Sequence, residues 1–150
     1  MKEIRIRKAQ LSDAPVMAQL AAELDIYATH GELEQQLGVL LEEPEHLVLV
    51  ATDAEESDEP VGWLHARVVM GIAVPMAVEV SVLIVKARWQ HQGGGRQLIK
   101  EAMAWSQQQG VDVFRMLSKD TDKDVQNFYN DQGFMLVAQQ NVFEVSLSEK

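Results

Sequence analysis

Apolar and polar positions alternate at the start of the chain, where Ile4 and Ile6 sit among Arg5 and Arg7, and this period of two predicts a strand with one buried face. The period then lengthens. Val16, Met17, Leu20, Ala21 and Leu24 recur at helical spacing behind Ser12, Asp13 and Pro15, residue types suited to a helix N-terminus. A second, shorter helix is expected over residues 32–43, with Leu33, Leu37, Leu40 and Leu41 inward and Pro44 as its stop. "HLVLVATDA" and "PVGWLHARVVM" read as a hairpin of two strands joined by the acidic "EESDEP". "AVEVSVLIVKA" follows, so apolar towards its end that a central position with both faces covered is expected; Glu79 is its one charge before Lys86.

Behind that strand, "WQHQGGGRQLIKEAMAW" leads from three glycines into an amphipathic helix with Leu98, Ile99, Ala102, Met103 and Trp105 on one side and Gly110 to end it. A strand over residues 111–117, a helix over 122–132 stopped by Gly133, and two short strands around 134–137 and 142–147 complete the order β-α-α-β-β-β-α-β-α-β-β. The fold class is therefore α/β (α+β), a sheet of about seven strands flanked by about four helices. No internal repeat interrupts the pattern, and 150 residues suit a single domain spanning 1–150.

Composition narrows the chemistry. The net charge is -10, from 13 Lys and Arg against 23 Asp and Glu, which argues against a nucleic-acid partner, since phosphate backbones demand clustered basic residues. A negative field instead attracts cationic substrates, unless it serves only solubility. There is no cysteine, so disulfides, thiolate metal sites and cysteine nucleophiles are excluded, and a cytoplasmic location is expected. The first twenty residues hold no continuous apolar run of the signal-peptide kind. Residues 68–78 form the longest mostly apolar run and contain Gly71 and Pro75, whereas a membrane helix needs about twenty residues, so no membrane span is expected. His30, His46, His65 and His91 have no paired metal-ligand spacing, and no metal is assigned. No serine sits in a nucleophile-elbow setting.

Glycines between a strand and a helix let main-chain N–H groups approach an anion where the helix N-terminus already presents unpaired donors. A Walker loop would need Lys and then Ser or Thr, but Gly95 is followed by Arg96 and Gln97. The dinucleotide fingerprint lacks its third glycine. What fits is Gln-x-x-Gly-x-Gly, read as Gln90, Gly93 and Gly95. With "IRIRKAQLSDAPVMAQL" ahead of it and "DVQNFYNDQGF" behind, the chain resembles the GNAT superfamily of N-acetyltransferases over nearly its whole length.

The resemblance implies a mixed, mostly antiparallel sheet and acetyl-CoA as co-substrate, without metal. Its pyrophosphate would lie on Gln90, His91, Gln92, Gly93, Gly94, Gly95 and Arg96, and its pantetheine arm and acetyl carbonyl on the main chain of Leu83, Ile84 and Val85, where the strand and the next splay apart. Arg96 fits either a phosphate fork or an exposed surface arginine. An amine with a pKa of about 10.4 is neutral in only about one molecule in a thousand at physiological pH, so a proton acceptor is needed. Glu79 matches the family's glutamate base, or else binds a substrate ammonium or a structural cation; Tyr129 matches its tyrosine acid, or else packs as an aromatic. Asp122 stands where the family often has a cofactor-contacting asparagine.

The acceptor is expected to be shaped by Asp25, Tyr27, His30 and the turn over residues 70–76. Direct attack within a ternary complex on a primary amine of a small cationic molecule, an aminoglycoside or polyamine, is the favoured reading. The alternatives are a protein lysine or N-terminal acetyltransferase and a non-catalytic acyl-CoA binding domain. A homodimer formed through residues 142–147 as edge strands is a further possibility.

Overall fold

The computed structural model describes residues 3–24, 26, 29–55, 57–119 and 122–148. It divides into two compact units, Met1–Ser118 and Lys119–Lys150.

The first unit is built on one sheet whose strand order follows the chain: β1 (Ile4–Lys8), β2 (His46–Asp53), β3 (Pro60–Gly71), β4 (Val74–Val85) and β5 (Val113–Met116). The first four pair antiparallel, and β5 joins β4 in parallel, which requires a crossover; helix α3 (Gly94–Gln108) provides it. Helices α1 (Ala14–Glu23) and α2 (His30–Leu40) cover one sheet face. There Met17, Leu20, Ala21, Leu33 and Leu37 pack on Val48, Val50, Trp63 and Ile84. Trp63 adds a strap, its indole N–H donating to the Met17 carbonyl at 3.2 Å. On the other face α3 buries Leu98, Ile99 and Ala102.

Helix α2 begins two residues earlier than its apolar spacing implies, because the Thr29 hydroxyl accepts the Glu32 N–H at 3.0 Å and caps it. It ends at Leu40, ahead of Pro44. Asp13, expected to cap α1, is used differently: its buried carboxylate takes the Gln10 N–H at 2.7 Å and both terminal nitrogens of Arg7 at 2.8 and 2.9 Å. On α3, Met103 stays exposed and Ser106 is buried instead, its hydroxyl satisfied by the Ala102 carbonyl at 2.7 Å. Strand β4 buries Ala77, Val78, Val80 and Ile84, but Ser81 is exposed and Val82, Leu83 and Val85 are half-buried, which corrects the expectation of a fully covered strand.

The second unit contains α4 (Lys123–Asp131), capped by Asp122, whose Oδ1 accepts the Val125 N–H at 2.9 Å. Five strands rather than seven form the sheet, since the described residues around 134–137 and 142–147 take no strand pairing. Met135, Leu136 and Val137 are all exposed, as are the adjacent Val142 and Phe143. Strand propensity is expressed only when a paired neighbour and a buried face are present, and even the alternating Phe143, Val145 and Leu147 have neither here. Among the described residues no helix is long and apolar enough to cross a membrane.

Candidate active site

The β4–β5 ladder is short. It runs from Ala77↔Val113 to Val80↔Met116 and closes with the Leu117 N–H donating to the Val80 carbonyl at 3.1 Å. Strand β4 continues to Val85, still paired to β3 from His65↔Val82 to Gly62↔Val85, but with no strand on its other edge among the described residues. That edge is the main chain of Leu83, Ile84 and Val85.

A single turn of 3-10 helix, Ala87–Trp89, anchored by the buried Trp89, then leads into the glycine loop. The Gln90 side-chain amide donates to the Val85 carbonyl at 3.2 Å and so pins the loop to the strand end. His91 and Gly93 both take left-handed backbone, at φ 65° and 90°. That conformation costs a side-chain-bearing residue about 1–2 kcal/mol and a glycine almost nothing, so Gly93 adopts it without the strain that His91 bears. Gly93 is the N-cap of α3, and no side chain caps that helix. A helix start presents its first-turn N–H groups outward, and Gly93 has no side-chain oxygen to offer them. Gly94 is buried, and a Cβ there would stand 3.4 Å from Ile4 Cδ1 and 3.9 Å from Val85 Cγ1, so the helix starts in close contact with the sheet. Arg96 lies exposed in the first turn, and residues 80–100 carry Lys86, Arg88, Arg96 and Lys100 with no carboxylate. This local basic stretch was visible in the sequence but masked there by the overall acidity.

Glu79 sits in a row that the strand register dictates: Arg67 on β3, Glu79 on β4 and Arg115 on β5 are direct neighbours. Arg115 Nη1 reaches Glu79 Oε2 at 2.8 Å, and Arg67 Nη2 reaches Oε1 at 3.7 Å. The carboxylate is held firmly from one side and loosely from the other. On the same sheet face, His65 Nε2 lies 2.9 Å from His46 Nδ1, and His65 Nδ1 lies 3.3 Å from Ser81 Oγ, the two imidazoles being stacked. Burial, then His46 and then Arg67, push the His65 imidazole down to about 4. Sequence reasoning singled out none of Arg67, Arg115, His46, His65 and Ser81 for this face; their apolar neighbours set the period, but only the register brings them together.

Of the other expected site residues, His30 is the first residue of α2, its Nε2 3.2 Å from Glu34 Oε2, both exposed. Asp25 and Tyr27 lie outside the described residues. Tyr129 belongs to the second unit, on α4, where its ring meets Phe128 and Phe134 edge-on at centroid distances of 5.2 and 5.8 Å. Among the described residues no group of three or more His, Asp or Glu side chains converges as around a metal ion.

The family model described as the acetyltransferase (GNAT) family matches residues 11–134. No curated protein matches the chain in sequence. Among solved structures, a transcriptional regulator from Bacillus halodurans C-125 superposes with a TM-score of 0.83 at 16% identity, covering 95% of this chain and 100% of that one. Glucosamine-6-phosphate N-acetyltransferase from Arabidopsis thaliana gives 0.81 at 16% identity, over 97% and 100% of the two chains. An aminoglycoside acetyltransferase from an uncultured soil metagenomic sample gives 0.76 at 21% identity, over 97% of each. These likenesses show the fold.

Proposed function

The chain belongs to the GNAT acetyltransferase family and is an acyltransferase, and we propose that it moves the acetyl group of acetyl-CoA to a primary amine of a small cationic molecule by direct attack within a ternary complex. The observation that carries this reading is the uncapped start of α3 behind a left-handed Gly93, set beyond a β4 edge that β5 does not cover. Acetyl-CoA, the co-substrate of the family, supplies an acetyl group activated as a thioester.

The residues present fit that co-substrate. First-turn N–H groups of α3 and the guanidinium of Arg96 would hold the pyrophosphate, with Gln90, His91 and Gln92 shaping the loop around it. The open main chain of Leu83, Ile84 and Val85 would pair with the pantetheine arm. On the acceptor side, Glu79 keeps lone pairs beyond those that Arg115 and Arg67 occupy, so it receives the acceptor ammonium and, through water, takes a proton from it. By the family resemblance, Tyr129 would be the acid that protonates the leaving thiolate as the nitrogen–carbon bond forms and the carbon–sulfur bond breaks, its phenol proton later restored by solvent. The net charge of -10 favours a cationic acceptor.

Thermal unfolding with and without acetyl-CoA tests the cofactor half, because a ligand bound only by the folded state raises stability by mass action. A rise of several degrees in the wild type, absent in Gly93→Val and Gly95→Val, is expected; no rise at saturating acetyl-CoA overturns the reading. Release of CoA thiol across a panel of aminoglycosides, polyamines and lysine peptides tests the acceptor half. Transfer to the peptides alone would move the assignment to a protein acetyltransferase.

A further inference from the structure

Ser81, His65 and His46 cross the sheet on three successive strands, from the open edge of β4 to β2. Strand register explains how Ser81 comes to face His65. Pairing steps from His65↔Val82 directly to Ala66↔Val80, so Ser81 is an extra, bulged residue, and bulges re-aim side chains beside functional sites. The bulge falls where the β5 ladder ends, two residues after Glu79 and two before Leu83, and the Ser81 residue is exposed there.

We propose that Ser81, His65 and His46 form a proton relay that carries the acceptor amine's proton out of the site, a second acceptor beside Glu79. The inference rests on the acetyl-transfer reading above. Each hydrogen bond in the chain has two equivalent directions, because a neutral imidazole donates from one nitrogen and accepts at the other. In the accepting state Ser81 O–H donates to His65 Nδ1, and His65 Nε2–H donates to His46 Nδ1. When the attacking nitrogen gives its proton to Ser81 Oγ, the serine proton passes to His65 Nδ1 and the His65 Nε2 proton passes to His46 Nδ1. Ser81 and His65 end neutral and His46 ends as the imidazolium, which discharges to solvent. The shift in charge is one proton, and no other reactant is consumed.

The surroundings favour this distribution. His65 is bordered by His46 from β2, Arg67 from β3, and Ser81 and Glu79 from β4, with Arg115 beyond on β5. Burial, His46 and Arg67 all disfavour charge on His65, which suits a ring that passes protons without retaining them. Glu79, by contrast, already has Arg115 at 2.8 Å on one oxygen and Arg67 at 3.7 Å on the other, so part of its acceptor capacity is committed.

The test is the pH profile of kcat/KM for the best acceptor, in wild type, Ser81→Ala and Ser81→Thr. Ser81→Ala is expected to lose about a hundredfold near pH 7, within the range of general-base effects, and to recover as the pH approaches that of the free amine's own ionisation. Ser81→Thr, which keeps the hydroxyl, should retain the wild-type profile. A Ser81→Ala profile that superimposes on wild type overturns the relay. If the wild type acetylates no amine, the acetyl-transfer reading fails separately, and imidazole ¹⁵N resonances of the resting protein still decide the relay. Ser81→Ala should then change the tautomer balance at His46 as well as at His65; a response confined to His65 overturns it.

Discussion

At the scale of single residues, His65 is a titratable group that the fold makes less willing to charge than the unfolded chain does. Its imidazole is held at about 4 against an ordinary 6.5, chiefly by burial. Below pH 6.5 the unfolded state takes up a proton that the folded state refuses, so the stability owed to neutral His65 is complete above pH 6.5 and is lost as the pH falls towards 4. For a half-buried ring, solvent screening reduces the difference between pH 7 and pH 4.5 to about 1 kcal/mol. Urea unfolding of wild type and His65→Gln at the two pH values checks this. The wild type should lose more stability on acidification than the variant, and equal losses would show that the ring does not resist protonation. Nothing in the local sequence announces this behaviour. "WLHARV" marks His65 as a strand position, whereas its partners His46 and Ser81 come from other strands, and hydrophobic period fixes the face of a side chain but not the register that selects its neighbours. The same holds for Glu79, legible as the one carboxylate of its strand, while Arg67 and Arg115, which determine what it can do, were not.

At the scale of elements, helix starts were legible except at α2, whose Thr29 cap was not foreseen, and their capping chemistry separates two jobs. Thr29 and Asp122 each satisfy an N–H of their own helix, whereas α3 opens on Gly93 without a side-chain acceptor. Asp122 therefore has a structural task where the family resemblance suggested an amide donor: a carboxylate at a helix N-terminus accepts the Val125 N–H and meets the positive end of the helix dipole. Asp122→Ala is expected to cost α4 about 1 kcal/mol, seen as faster amide exchange at Val125, and Asp122→Asn should leave exchange near wild type because asparagine caps equally well. Unchanged exchange in Asp122→Ala would remove the capping role. Strands were legible where a partner exists. From β1 to β5 each apolar run became a strand, but Val142, Phe143 and Val145 carry similar propensity and form none, since propensity alone does not supply the paired backbone that holds a strand.

At the scale of the whole molecule, charge is distributed in two opposing senses. The chain carries -10 overall, yet residues 80–100, which include the glycine loop, hold four cations and no carboxylate. An acidic field draws a cationic acceptor from a distance, and a local basic segment suits the phosphates of a nucleotide co-substrate at short range. The two are separable because screening acts first on the longer range: the Debye length falls from about 30 Å at 0.01 M salt to about 8 Å at 0.15 M. With acetyl-CoA held saturating at both ionic strengths, kcat/KM for a polyamine should fall severalfold across that interval. For a monoamine of similar length it should fall less, since steering scales with the charge being steered. Equal salt dependence for the two amines would mean that the acidity has no part in capturing the acceptor and serves solubility alone. The cationic preference would then have to come from side chains near Glu79, where Arg67 and Arg115 already oppose it.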